Sequence, residues 1–211
     1  MTIALPPLGN GTTRLILLRH GEPDETVRGR CYGRLEPGLS HRGREQMRQA
    51  WLFLDNQSPS TVYSSPSRRA LESTALRSID TPAAAVDERL REIDFGAFEG
   101  LTYDEISTRY PQHYDYWMTR PTDVVFPDGE SFATMSARVR EALEQIRRKH
   151  SGETVVTVSH GGVNRVALAQ ALDLHPRRIF RLAQAYACVN VIDYFDDEPV
   201  VRVMNATVHL C

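Results

Sequence analysis

Three short apolar runs in this chain each stop abruptly at a cluster of polar side chains. Leu15-Ile16-Leu17-Leu18 ends at Arg19-His20-Gly21-Glu22, and Thr61-Val62-Tyr63 ends at Ser64-Ser65-Pro66-Ser67-Arg68-Arg69. The β-branched stretch from Thr154 to Ser159 ends at His160-Gly161-Gly162. Short apolar runs without polar alternation suit strands covered on both faces. Helical patterns separate them. Ser40 is placed to cap a helix to Leu54, in which Met47, Ala50, Trp51 and Leu54 recur at three- and four-residue steps. Pro66 suits the first turn of a helix continued by Ala70, Leu71, Thr74 and Ala75. Residues 101–110 and 131–149 predict further helices, the second opened by Ser131 with an apolar stripe of Phe132, Met135, Val139, Leu143 and Ile146. Another follows His160 through Val166 to Leu172, and 189–195 and 200–208 read as closing strands.

Strands alternating with helices predict an α/β fold: three α/β/α layers around a mostly parallel sheet. The 211 residues suit one domain, placed at 14–211 behind a loose tail over 1–13, where Pro6, Pro7, Gly9, Asn10 and Gly11 punctuate the chain. Residues 100–130, with Tyr103, Tyr110, Tyr114, Tyr116 and Trp117, break the rhythm and read as an insertion or small cap. Its aromatics suit either a pocket lining or the surface of a homodimer.

Lys plus Arg number 25 and Asp plus Glu 27, a formal net charge of −2, which does not suggest a nucleic-acid partner. No stretch reaches the roughly 18 apolar residues of a membrane span, and the first 14 residues lack the pattern of a secretory leader. Cys31, Cys188 and Cys211 are too few and too scattered for a disulfide framework. A cytoplasmic protein is the expectation.

Ligands of open α/β sheets sit beyond the carboxyl ends of the strands, where Arg19-His20, Arg68-Arg69 and His160 would meet in one crevice. Two imidazoles and two or more guanidiniums together form an anion site, and forked planar donors suit phosphate oxygens. Nearby arginines disfavour a protonated imidazole, leaving His20 neutral and nucleophilic near pH 7. The chemistry indicated is phosphoryl transfer. No spacing of His, Cys, Asp or Glu resembles a zinc site and no G-K-[ST] follows the glycines, so neither metal nor cofactor is expected.

Five segments in order resemble the histidine phosphatase superfamily, in its phosphoglycerate mutase-like branch: Leu17-Leu18-Arg19-His20-Gly21-Glu22; Gly29-Arg30-Cys31-Tyr32-Gly33 with Leu39-Ser40-His41-Arg42-Gly43; Ser65-Pro66-Ser67-Arg68-Arg69-Ala70; the run from Leu90 to Gly100; and Ser159-His160-Gly161-Gly162. The resemblance implies that His20 forms a phosphohistidine, that Arg19, Arg69 and His160 bind the phosphoryl oxygens, and that Glu92 is the general acid. Gly161 and Tyr32 would line the substrate site, Tyr32 serving equally well as an ordinary buried tyrosine. Arg69 directly precedes the alanine, as the family's arginine does, which leaves Arg68 as a solvated or rim residue. The acid role needs a raised carboxyl pKa, reachable if Phe95, Phe98 or the cap desolvates Glu92.

Two features separate the chain from mutases of this branch. Thr26 stands where the mutase-like pattern has asparagine, and 100–130 holds only Arg109 and Arg120 as basic residues. A mutase must hold a carboxylate and two phosphoryl groups, so hydrolysis of a small phosphorylated metabolite is favoured. Glu22-Pro23, the 29–33 string and Asp128-Gly129-Glu130-Ser131 look most like alpha-ribazole phosphatases, whereas broad-specificity and fructose-2,6-bisphosphatase-like members share parts of them. Mutase activity, and a non-catalytic phosphate-binding relative, are the alternatives.

Overall fold

The computed structural model describes residues 2–78 and 81–210; the Cys211 thiol lies outside them. Six strands form one sheet: β1 (Thr12–Arg19), β2 (Thr61–Ser64), β3 (Ala84–Val86), β4 (Thr154–Ser159), β5 (Val189–Phe195) and β6 (Glu198–Ala206). Their spatial order is β3-β2-β4-β1-β5-β6, and β5 alone runs against the others. The helices are α1 (His41–Phe53), α2 (Arg68–Ala75), α3 (Tyr103–Arg109), α4 (Pro111–Thr119), α5 (Phe132–Lys149) and α6 (Gly161–Ala171). The α/β architecture is the one the sequence predicts.

Strand β1 shows why both faces are covered. Leu15 and Leu17 enter the core beneath α5, α6 and the cap, whereas Ile16 and Leu18 enter the core beneath α1. All four are at most 1% exposed, and full burial of each such side chain is worth about 1.5–3 kcal/mol. Two-residue strand periodicity thereby feeds two cores from one apolar run.

The helix caps explain the boundaries. Ser40 Oγ accepts from Gly43 N, and Ser131 Oγ accepts from Thr134 N. Helix α2 departs from the expected start: it opens at Arg68 behind Ser67, so Pro66 precedes the helix instead of sitting in its first turn. Strand β1 starts at Thr12, three residues before the apolar run, because Thr13 and Arg14 continue the pairing with β5. Residues 2–11 carry no strand or helix, yet Ile3 is buried and donates its N–H to the Phe53 carbonyl at 2.8 Å.

The expected insertion at 100–130 holds two helices, α3 and α4, where the sequence suggested one, and packs over the turn at 96–98 as a cap. Thr102 and Glu105 close a capping box on α3, and Pro111 opens α4. Phe98, fully buried, is the cap's centre, packed against Tyr110, Trp117 and Phe126. Among the described residues no helix is long and apolar enough to cross a membrane.

Candidate active site

Strand register brings the three polar clusters together. Arg19 stands opposite Ser159 across β1 and β4, and Ser64 stands opposite Val158 across β2 and β4. The ladder continues one residue further, with His20 N–H donating to the Ser159 carbonyl and Ser65 N–H to the Val158 carbonyl, both at 2.9 Å. His20, His160 and Ser65 therefore leave three adjacent strand ends side by side. The ring centroids of His20 and His160 are 5.2 Å apart.

Each ring is oriented by one hydrogen bond. His20 Nδ1 lies 2.7 Å from the Gly21 carbonyl, so it carries the proton and leaves Nε2 with a free lone pair. His160 Nε2 is 2.8 Å from Ser65 Oγ, and its Nδ1 is buried without a protein partner.

Arg69, fully buried, spends both terminal nitrogens on loop carbonyls, Leu35 at 2.8 Å and Gly33 at 3.0 Å. Arg19 donates Nη1 to the Gln184 carbonyl. Both Nε atoms are buried and unpartnered. Two guanidiniums thus present unpaired buried donors and one imidazole an unpaired buried nitrogen beside His20, an arrangement costly to keep unless a polar ligand meets it. The N-terminus of α6 adds its dipole from the same side.

Glu92 sits at the rim, half-buried. Its Oε1 accepts from Ile93 N and its Oε2 from Gly162 N, both at 3.0 Å. Only glycine allows that approach, since a Cβ at position 162 would lie 2.2 Å from Glu92 Oε1. Of the two predicted desolvating aromatics, Phe95 lines the pocket with Glu92, whereas Phe98 lies beneath in the cap core. The pocket has a volume of about 180 Å³, and Arg19, His20, Tyr32, Arg69, Glu92 and Tyr103 are among its walls. Gly161 lies beside it, the point of its missing Cβ 3.5 Å from Arg19 Cζ.

Tyr32 lines the pocket, where the family resemblance places it, whereas its partner Tyr186 and several groups behind the site carry no local sequence signal. Tyr32 and Tyr186 hold hydroxyl to hydroxyl at 2.8 Å, the first ring 5.2 Å from Arg69 Cζ and the second 4.1 Å from Arg19 Cζ. The pair clasps the two arginines from above. Behind Arg19, Gln184 is fixed by Asn164 and Asn190. Arg138 pairs with Glu130 and donates to the carbonyls of Arg89, Arg91 and Glu92, which makes it the strut under the Glu92 backbone. Arg68 is exposed and bound to Glu72, away from the pocket. Thr26, Arg109 and Arg120 are exposed and line no part of it.

Burial holds both imidazoles well below the ordinary histidine range, with Arg69 the next contribution to each. The sequence attributed a neutral His20 to the arginines; desolvation is the larger cause. Below pH 6.5 the unfolded chain protonates these two histidines while the native chain does not, so the unfolded state binds more protons and stability falls as the pH falls. The urea midpoint is therefore expected to drop between pH 7 and pH 5. His20→Asn should make that slope shallower by up to about 1.4 kcal/mol per pH unit. Equal slopes in the two proteins would contradict a neutral buried His20.

A neutral imidazole with its lone pair free, set among unpaired guanidinium donors and beside a carboxyl, defines a phosphoryl-transfer enzyme. Comparison with known proteins agrees. The model of the histidine phosphatase superfamily (branch 1) matches residues 15–207, and the chain belongs to that family. It is similar to phosphoserine phosphatase 1 of Hydrogenobacter thermophilus, 32% identical with 93% of this chain and 94% of that one covered. It is also 32% identical to the metal-independent phosphoserine phosphatase of Arabidopsis thaliana, over 94% and 83% of the two chains. The structure of Bacillus stearothermophilus YhfR superposes with a TM-score of 0.88 at 31% identity, covering 94% of this chain and all of that one. The alpha-ribazole phosphatase of Shigella flexneri superposes with a TM-score of 0.85 at 26% identity, covering 92% and 96%. The chain is a phosphatase of the phosphomonoester hydrolase class.

Proposed function

We propose that this chain hydrolyses small phosphomonoesters through a phosphohistidine on His20, without a metal ion. His20 Nε2 attacks phosphorus, and the bond to the bridging oxygen breaks as Glu92 gives that oxygen a proton. Glu92 then takes a proton from water, the hydroxide oxygen attacks phosphorus, and the bond to Nε2 breaks to release phosphate and neutral His20. Arg19, Arg69 and His160 hold the equatorial oxygens throughout. Carrying this reading is the gathering beside one imidazole, His20, of two buried guanidinium Nε donors without partners, those of Arg19 and Arg69, and of the unpartnered His160 Nδ1.

Hydrolysis is favoured over mutation because Arg109 and Arg120 stay outside the pocket. Metal independence is supported by the name of the Arabidopsis relative. Alpha-ribazole 5′-phosphate and phosphoserine are the first natural esters to test, from the names of the relatives. Turnover of p-nitrophenyl phosphate is expected to be unchanged in excess chelator and blocked by vanadate. Loss in chelator with recovery on adding a divalent cation would contradict the mechanism.

A further inference from the structure

A second cavity of about 160 Å³ lies next to the phosphate pocket. Glu92, Phe95 and Tyr103 line both spaces, so Glu92 stands between them. Trp117, Phe126, Phe132, Met135 and Phe180 supply most of the remaining wall. These come from the cap, from α5 and from the turn at 176–181, and all but Phe180 are buried. A polar alcohol lodged here would lose its hydrogen bonds to water without replacement, whereas an apolar ring gains burial and aromatic contact.

One cation interrupts this apolar wall. Arg165, half-buried on α6, donates Nε to the Leu182 carbonyl at 2.8 Å, and its Cζ is 5.7 Å from the Phe180 ring centroid. It makes no ion pair among the described residues. The point of the missing Cβ of Gly161 is 3.1 Å from Arg165 Nη1 and 3.5 Å from Arg19 Cζ. The guanidinium therefore stands at the border of the two spaces, on the side of the apolar one. By contrast, Arg30 at the phosphate pocket is paired with Glu105. The Glu92 carboxylate lines the same cavity and favours the charged guanidinium but forms no salt bridge with it. A guanidinium anchored through Nε, facing a cavity and in contact with no carboxylate, is arranged for an anion that arrives with the ligand.

We propose, resting on the phosphohistidine reading above, that the aromatic cavity receives the alcohol portion of the substrate and that Arg165 pairs with a carboxylate on it. The substrate class is then a phosphomonoester of an apolar, ring-sized alcohol bearing one carboxylate. Arg165 is the residue that selects it.

Benzyl phosphate and 4-carboxybenzyl phosphate test this, because the methylene keeps their leaving oxygens similar in basicity. The wild type is expected to favour the carboxylated ester in kcat/KM by about tenfold, equivalent to ~1.4 kcal/mol. Arg165→Met should bring that ratio to about one, and Arg165→Lys should retain a preference of several-fold; if the Met variant folds poorly, Arg165→Gln is read the same way. A wild-type ratio near one, or a ratio that survives loss of the charge, would overturn the proposal. Phosphorylation of His20 by acetyl phosphate, which has no ring to seat, reports on the underlying mechanism separately. Failure of that reaction together with both esters would overturn the phosphohistidine reading itself.

Discussion

His20→Ala is expected to lower kcat by about 10,000-fold or more, because it removes the atom that bonds to phosphorus instead of one that steadies it. The Gly21 carbonyl holds Nδ1, so no other lone pair on the ring or nearby replaces Nε2. His160 is the nearest substitute, but its Nε2 is engaged by Ser65 and its ring stands 5.2 Å away, centroid to centroid. Arg19, Arg69 and His160 remain in the variant, and on the proposed mechanism they would still bind phosphate. The inhibition constant for inorganic phosphate should therefore stay within about fivefold of wild type, since the cationic donors that fix an oxyanion are intact. Steady-state kinetics with p-nitrophenyl phosphate, and phosphate inhibition in the same assay, check both halves. Retention of more than a few per cent of kcat would remove His20 from the nucleophile role. Loss of phosphate binding as well would point to a collapsed pocket.

Glu92→Gln separates acid catalysis from binding. The glutamine keeps the side-chain oxygen that accepts from Ile93 or Gly162 and loses the transferable proton. An alkyl ester leaves as a strongly basic alkoxide and needs that proton, so its kcat/KM should fall by about 10²–10⁴-fold. The p-nitrophenolate leaving group is stable without it, and its loss should be under about tenfold, since proton transfer contributes little there. Comparing benzyl and p-nitrophenyl phosphates on the two proteins measures the difference directly. Equal losses on both would show that Glu92 positions the substrate without donating a proton.

The sequence made visible those features that are written locally. An unbroken apolar run marked β1 and a β-branched stretch marked β4, and Ser40 and Ser131 marked helix starts, because burial on both faces and end-capping each need particular residues at particular places. Strand β3 was not visible. It is three residues long, Ala84–Val86, at the sheet edge with Val86 more than half exposed, so it carries neither an apolar run nor alternation. Helix α4 hides in the aromatic stretch 111–119, where only Trp117 is buried and no stripe forms. At the site, His20, Arg69, Glu92 and His160 sit in recognisable strings, whereas Tyr186, Gln184 and Arg138 reach it through tertiary contacts that no local pattern records. Arg165 is intermediate. It stands four residues after Gly161 on α6, one helical turn along the same face, and that spacing was a signal available in the sequence.

Formation of a phosphohistidine on His20 is the step on which the rest depends. Wild-type protein mixed with phosphorus-labelled p-nitrophenyl phosphate, quenched within the first turnovers and mapped by peptide, tests it most directly. Label that is stable in alkali, released in acid and confined to the peptide bearing His20 is the expected result. Steady turnover with no label at that peptide, or with label on a hydroxyl or carboxylate side chain, would contradict the account.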